Sequence, residues 1–197
     1  LYNPIDKKKI ERLAKLRINS KFAEKKFILF IGHNKFQKNI ELAIYSFDKI
    51  IKKNKELNLI ILGRNYSSDF IKNFSVSNYT SKKIHFVGEK YNPYNYIKNS
   101  KLVISTSRWE GMPNSILETL ILNKKILITN FKSGPKDILK LGGNLEKCDS
   151  FDDKKFSLYL QKSLDSVVKI DNSAFIKNYN EKFKLGIKSI INIIEKE

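Results

Sequence analysis

Cysteine occurs once, at Cys148, so the chain cannot close an internal disulfide. Histidine occurs twice, at His33 and His85, which leaves little from which to build a metal site; no metal and no cofactor is expected. No apolar run reaches the length of a membrane span, and the lysine-rich start lacks the apolar core of a signal peptide. These absences argue against a secreted disulfide scaffold or an integral membrane protein, and they point to the cytoplasm. The dinucleotide fingerprint GxGxxG and the phosphate loop GxxxxGK are missing as well.

Arginine is scarce. Arg12, Arg17, Arg64 and Arg108 stand among 38 basic residues, against 20 acidic ones, for a net charge of +18. Arginine is the usual choice for bidentate phosphate recognition, so this lysine excess reads as a solvated surface and nucleic acid is not an expected partner. Attraction to anionic membrane lipid, at the inner face of the membrane, is a secondary expectation. A basic protein that binds anionic surfaces through charge alone is one rival reading.

The 197 residues are 41% hydrophobic and 12% aromatic, enough for one sizeable core and one domain. Apolar runs at 27–31 and 57–62 read as buried parallel strands. Shorter strands are expected at 84–87, 102–105 and 126–129, with a weak edge strand at 144–147. Helical spacing marks 6–18, 39–54, 69–76, 94–99, 113–122, 135–141, 152–168 and 173–195. Strands alternating with helices predict an α/β fold: a single Rossmann-like, doubly wound domain, with a mostly parallel sheet of about six strands and helices on both faces. Ligands in such folds sit at the carboxyl ends of the strands, here the loops after Ile31, Leu62, Val87 and Ser105.

The stretch from Ser107 to Leu122, SRWEGMPNSILETLIL, is the most informative. Glu110 stands eight residues ahead of Glu118 around a Gly111-Met112-Pro113 turn. Pro113 suits the first helical position and biases Met112 towards extended backbone. Ile116, Leu117, Leu120 and Ile121 form one apolar stripe, and Glu118 lies off it on the face shared with Asn114 and Ser115. A strand, a glycine turn and a helix N-terminus present free N–H groups to an anion. Two flanking carboxylates suit a ligand with phosphate in the middle and hydroxyls at both ends. A nucleotide-sugar has that composition.

The pattern E-G-x-P-x-x-x-x-E, followed by a small strand and Gly134-Pro135, resembles the donor-binding half of retaining GT-B glycosyltransferases, specifically family 4, the glycosyl transferases group 1. The resemblance covers nearly the whole chain. Leu1-Tyr2-Asn3-Pro4-Ile5-Asp6 is similar to the family's interdomain linker. Phe30-Ile31-Gly32 with Gln37-Lys38-Asn39 is similar to its first strand, loop and helix. Leu59 to Gly63, Ile84 to Gly88, Asn92-Pro93 and Ser133 to Leu139 follow in the family's order.

The resemblance implies that residues 1–197 form a nucleotide-sugar donor domain, half of a GT-B fold, with 1–6 a linker remnant and 173–197 a C-terminal helix. The N-terminal acceptor domain would be absent, consistent with a start at Leu1 and a single methionine, Met112. By the same resemblance Glu118 accepts hydrogen bonds from the donor ribose and Glu110 holds hydroxyls of the transferred sugar. Gly111, Met112, Pro113, Asn114 and Ser115 offer backbone to sugar and pyrophosphate, Lys38 neutralises the pyrophosphate, and Lys90 and Asn92 lie in the base-contacting loop. His33 departs from the family, which commonly has arginine there; Arg64 or Arg108 could compensate. The metal-dependent GT-A alternative would need Asp-x-Asp, which is absent. The expected partners are a nucleotide-sugar donor, with UDP the expected nucleotide, and a glycan or lipid-linked acceptor bound through the missing domain. A non-catalytic donor-binding subunit of a split transferase is the second rival.

Overall fold

Strand β1 (Lys26–Ile31) alternates its side chains between two cores, and both are apolar, which is why the run shows no polar face. Phe27 and Leu29 enter one core; Ile28 and Phe30 enter the other. β2 (Leu57–Leu62) repeats the division, with Ile60 and Leu62 on the first side and Leu59 and Ile61 on the second. The computed structural model describes residues 3–18, 20–67, 69–131 and 135–194.

The shorter strands are β3 (Ile84–Phe86), β4 (Leu102–Ser105), β5 (Ile126–Thr129) and β6 (Glu146–Cys148). The helices are α1 (Lys7–Ala14), α2 (Ser20–Ala23), α3 (Ile40–Ile51), α4 (Asn78–Ser81), α5 (Tyr94–Asn99), α6 (Asn114–Ile121), α7 (Pro135–Lys140), α8 (Asp153–Asp165) and α9 (Ser173–Ile194). All strand pairings are parallel, in the order β3-β2-β1-β4-β5-β6. Two windings that start from a shared centre produce this order, and the winding direction reverses between β1 and β4. Residues of α1, α5, α6 and α9 pack on one side of the sheet and residues of α3 and α8 on the other. The α/β sheet with helices on both faces is as expected.

Three local expectations are revised. The helix expected over 6–18 ends at Ala14, and α2 forms separately. Residues 69–76 contain only a 3-10 turn, Phe70–Asn73, and α4 follows it, opened by the Ser77 hydroxyl accepting the Thr80 N–H. The Phe70 ring packs edge-on against Tyr66, Phe74 and Phe86 beside this turn. Pro113 caps α6 from outside, with extended backbone (φ −73°, ψ 123°), instead of forming its first residue.

Candidate functional site

The loop after β1 must reach the end of β4, and Thr106 fixes where it does so. Its buried hydroxyl lies 3.0 Å from the Lys38 carbonyl and 2.8 Å from that of Asn39. Asn39 adopts the left-handed region (φ 50°), a conformation that asparagine tolerates better than most residues, and this ends the 3-10 turn Phe36–Lys38 and starts α3. Arg108 stacks 4.3 Å above the Phe36 ring and donates to Asn39 Oδ1 at 3.0 Å, while Gln37 donates to the Trp109 carbonyl at 2.8 Å. Lys38 is therefore carried on anchored backbone.

Its ammonium meets Glu110 Oε1 at 2.5 Å, and the buried Ser107 hydroxyl donates to the same oxygen at 2.8 Å. The Lys38 and Glu110 side chains keep only 21% and 10% of their exposure. Charges this withdrawn interact more strongly than they would in open water.

Beside this pair lies the start of α6. Its first backbone bonds run from Ile116 and Leu117 to the Pro113 carbonyl, so the N–H groups of Asn114 and Ser115 precede the ladder. Asn3 braces the turn by donating to the Met112 carbonyl at 3.2 Å and to Asn114 Oδ1 at 2.7 Å. The Tyr179 hydroxyl on α9 holds the Asn3 carbonyl at 3.0 Å. A cleft of about 380 Å³ opens over this helix end at the carboxyl edge of β1 and β2.

The cleft brings together His33, Lys38, Lys90, Glu110, Met112, Pro113, Asn114 and Ser115. Gly111 is exposed in the same turn, and a methyl added there would meet nothing within 4 Å. His33 Nδ1 accepts the Arg64 N–H at 3.0 Å, leaving Nε2, 3.8 Å from Glu89, as its outward group. Arg64 pairs with Glu89 at 3.1 Å and Arg108 is engaged in the loop, so the arginines serve these contacts.

Two expected residues stand elsewhere. Asn92 uses its amide on the Leu13 carbonyl at 2.9 Å and its oxygen on the Tyr94 N–H at 3.2 Å, tying α1 to the loop before α5. Glu118 does not border the cleft; it is half-buried one turn into α6 and hydrogen-bonded with Tyr94. Burial pushes its carboxyl above the usual value, and the Tyr94 hydroxyl partly offsets this. Ser133 and Gly134 of the Gly-Pro segment, and Leu1 and Tyr2, lie outside the described residues. A wider groove of about 1170 Å³ lies at the opposite ends of α1, α5 and α6 and touches none of the expected site residues.

Residues 11–182 match the family model described as Glycosyl transferases group 1. The chain belongs to this family. It is 33% identical over 113 residues to an uncharacterized glycosyltransferase of Methanocaldococcus jannaschii, covering 55% of this chain and 27% of that protein. It is 27% identical over 138 residues to N-acetylgalactosamine-N,N'-diacetylbacillosaminyl-diphospho-undecaprenol 4-alpha-N-acetylgalactosaminyltransferase of Campylobacter jejuni, covering 70% and 36%. The crystal structure of Anabaena HepE in complex with UDP superposes with a TM-score of 0.73 at 14% identity, covering 100% of this chain and 57% of that one. The fold is thus the Rossmann-like unit of GT-B glycosyltransferases. The chain spans between 24% and 39% of the length of the curated relatives it matches.

Within this group 1 glycosyltransferase domain, sequence reasoning missed Ser107, Thr106, Asn3, Glu89 and Tyr94. Ser107 had a signal, three residues before Glu110 in the same turn. The others reach the site only through contacts distant in sequence, such as Asn3 to Asn114. No helix among the described residues is long and apolar enough to cross a membrane. Among them, no group of three or more His, Cys, Asp or Glu could hold a metal ion.

Proposed function

We propose that this chain is the donor-binding domain of a retaining, family 4 glycosyltransferase. It binds a hexose-type nucleotide-sugar, with UDP as the nucleotide, and the complete enzyme transfers the sugar to a glycan or lipid-linked acceptor in polysaccharide or lipopolysaccharide assembly. One observation carries this reading: Lys38 and Glu110 meet over the N-terminus of α6 where the sheet reverses its winding. A cation and helix N–H groups suit a diphosphate, and a carboxylate beside them suits sugar hydroxyls. The UDP bound by the Anabaena relative and the sugar transfer named for the Campylobacter one support it.

In this reading the diphosphate lies against the Asn114 and Ser115 N–H groups and Lys38, which offset negative charge as the glycosidic bond breaks. Glu110 receives hydroxyls of the sugar near the reacting carbon, and Glu118 receives the ribose hydroxyls. The acceptor hydroxyl attacks from the face the leaving group departs, aligned by a second domain across the cleft. The experiment is calorimetric titration with UDP, GDP and ADP, with and without magnesium. Binding of one diphosphate without metal is the expected result. Binding that appears only with metal, or not at all, overturns the reading.

A further inference from the structure

We propose that the Lys38–Glu110 ion pair is a donor-selecting lock, exchanged partner for partner by a diphosphate that carries a sugar and opposed to retention of the bare nucleoside diphosphate. This rests on the function proposed above and gives Glu110 a second role beyond contact with sugar hydroxyls.

In this structure the cation expected to hold the diphosphate is already engaged. Lys38 Nζ lies 2.5 Å from Glu110 Oε1, and both side chains border the cleft. Ordinary surface pairs contribute little, because two long side chains lose entropy in exposed solvent. Here the exposures are 21% and 10%, Thr106 and Arg108 fix the lysine's loop, and Ser107 holds the carboxylate oxygen that Lys38 contacts. An incoming anion must therefore compete with Glu110 for Lys38.

The two ligands compete on different terms. A nucleotide-sugar offers phosphate oxygens to Lys38 and hydroxyl donors to Glu110, so each member of the pair exchanges one partner for another. A bare nucleoside diphosphate offers the oxygens but no sugar hydroxyl. Its terminal phosphate is no longer esterified and carries about one additional negative charge at neutral pH. That charge stands where the sugar ring would be, facing the Glu110 carboxylate. Re-forming the pair then favours departure of the diphosphate once the sugar has gone. Ser107 is a positioning residue in this scheme, holding Glu110 Oε1 towards both Lys38 and the sugar.

The test is calorimetry at fixed ionic strength with UDP, GDP and ADP and their glucose conjugates, on the wild type, Glu110→Gln, Ser107→Ala and Ser107→Thr. Glu110→Gln should bind the bare diphosphate about fivefold or more tightly than wild type, while the glucose conjugate loses affinity. Ser107→Ala should shift the same ratio in the same direction by a smaller factor, and Ser107→Thr should restore it; a purely structural serine would alter melting without altering the ratio. If Glu110→Gln fails to fold, Glu110→Asp, which retracts the carboxylate by one methylene, should also bind the bare diphosphate more tightly. Unchanged or weaker diphosphate binding in the folded Glu110 variants overturns the lock while leaving the donor-domain reading intact. A wild type that binds none of the ligands overturns both.

Discussion

A methyl group added at Gly63 would stand 1.9 Å from the carbonyl oxygen of Gly32. The loops leaving β1 and β2 thus touch backbone to backbone beside the cleft, and the Gly32 N–H donates to the Leu62 carbonyl at 2.9 Å in the same place. Gly63→Ala should cost about 1–3 kcal/mol through overpacking, lowering the melting temperature by about 2–4 °C per kcal/mol. It should also weaken diphosphate binding, because the added carbon lies 3.1 Å from the His33 nitrogen. Gly88→Ala is the control: its surroundings are open, and only its left-handed backbone (φ 78°) is strained, at a cost of about 1–2 kcal/mol. A Gly63→Ala protein that melts with the wild type and keeps its affinity would contradict the close approach.

Glu118 gives stability a pH dependence with a definite sign. Its unfolded value is near 4.5 and burial raises the folded one. Between the two, the folded state holds the proton more than the unfolded state does, so stability falls as pH rises through that window. Glu118→Gln removes the window. Thermal unfolding from pH 4.5 to 7.5 should therefore show the variant gaining on the wild type as pH rises. A difference that stays flat, or runs the other way, would contradict the burial. Tyr94→Phe should move the wild-type transition to higher pH, because the tyrosine hydroxyl holds the carboxyl down.

Binding separates the roles of the same side chain. If Glu118 takes the ribose hydroxyls, Glu118→Ala should weaken both diphosphate and nucleotide-sugar by about 1–3 kcal/mol, the range for hydrogen bonds to a charged group. Glu118 is half-buried and hydrogen-bonded with Tyr94 in this structure, so a ribose hydroxyl would compete with the tyrosine for the carboxylate. Tyr94→Phe should then leave affinity unchanged or improve it. Loss of binding in Tyr94→Phe equal to that in Glu118→Ala would place the tyrosine, not the glutamate, on the ligand.

Arg108 offers a test of loop anchoring. Its stacking on Phe36 and its bond to Asn39 hold the turn that delivers Lys38. Arg108→Ala should lower diphosphate affinity about three- to tenfold, for a loss on the order of 1 kcal/mol. Arg108→Lys should recover little, since a lysine cannot both stack and donate through a planar fork. Calorimetry showing unchanged affinity in both variants would mean that the turn holds itself.

Sugar transfer is the last expectation. If the chain is the donor-binding half of the proposed enzyme, residues 1–197 alone should bind donor but give no transfer above the water reaction, because no acceptor hydroxyl is aligned. Radiolabelled donor with an oligosaccharide panel would measure this, and robust transfer by the purified chain would refute it.

The strands are legible in the sequence because parallel strands buried on both faces are apolar at every position but one or two, as in Leu57 to Leu62. The Glu110 turn and α6 are legible because glycine, proline and a helical apolar stripe act locally. The region 69–76 is not: its helical pattern holds only a 3-10 turn, Phe70–Asn73, with the Phe70 ring set among Tyr66, Phe74 and Phe86. The family resemblance puts Asn92 in the expected base-contacting loop, whereas its amide donates to the carbonyl of Leu13, 79 residues away.

Sequence alone therefore determined the class of fold, the sheet's strands, and which loops carry cation, carboxylates and helix end. Tertiary structure alone decided strand order, and with it that β1 and β4 lie side by side. That adjacency closes the 72-residue separation between Lys38 and Glu110 to one ion pair, while the packing of α5 against α6 brings Tyr94 to Glu118. The physical reason is range: periodicity and turn chemistry act within a few residues, whereas pairing of distant side chains is set by how the whole sheet is wound.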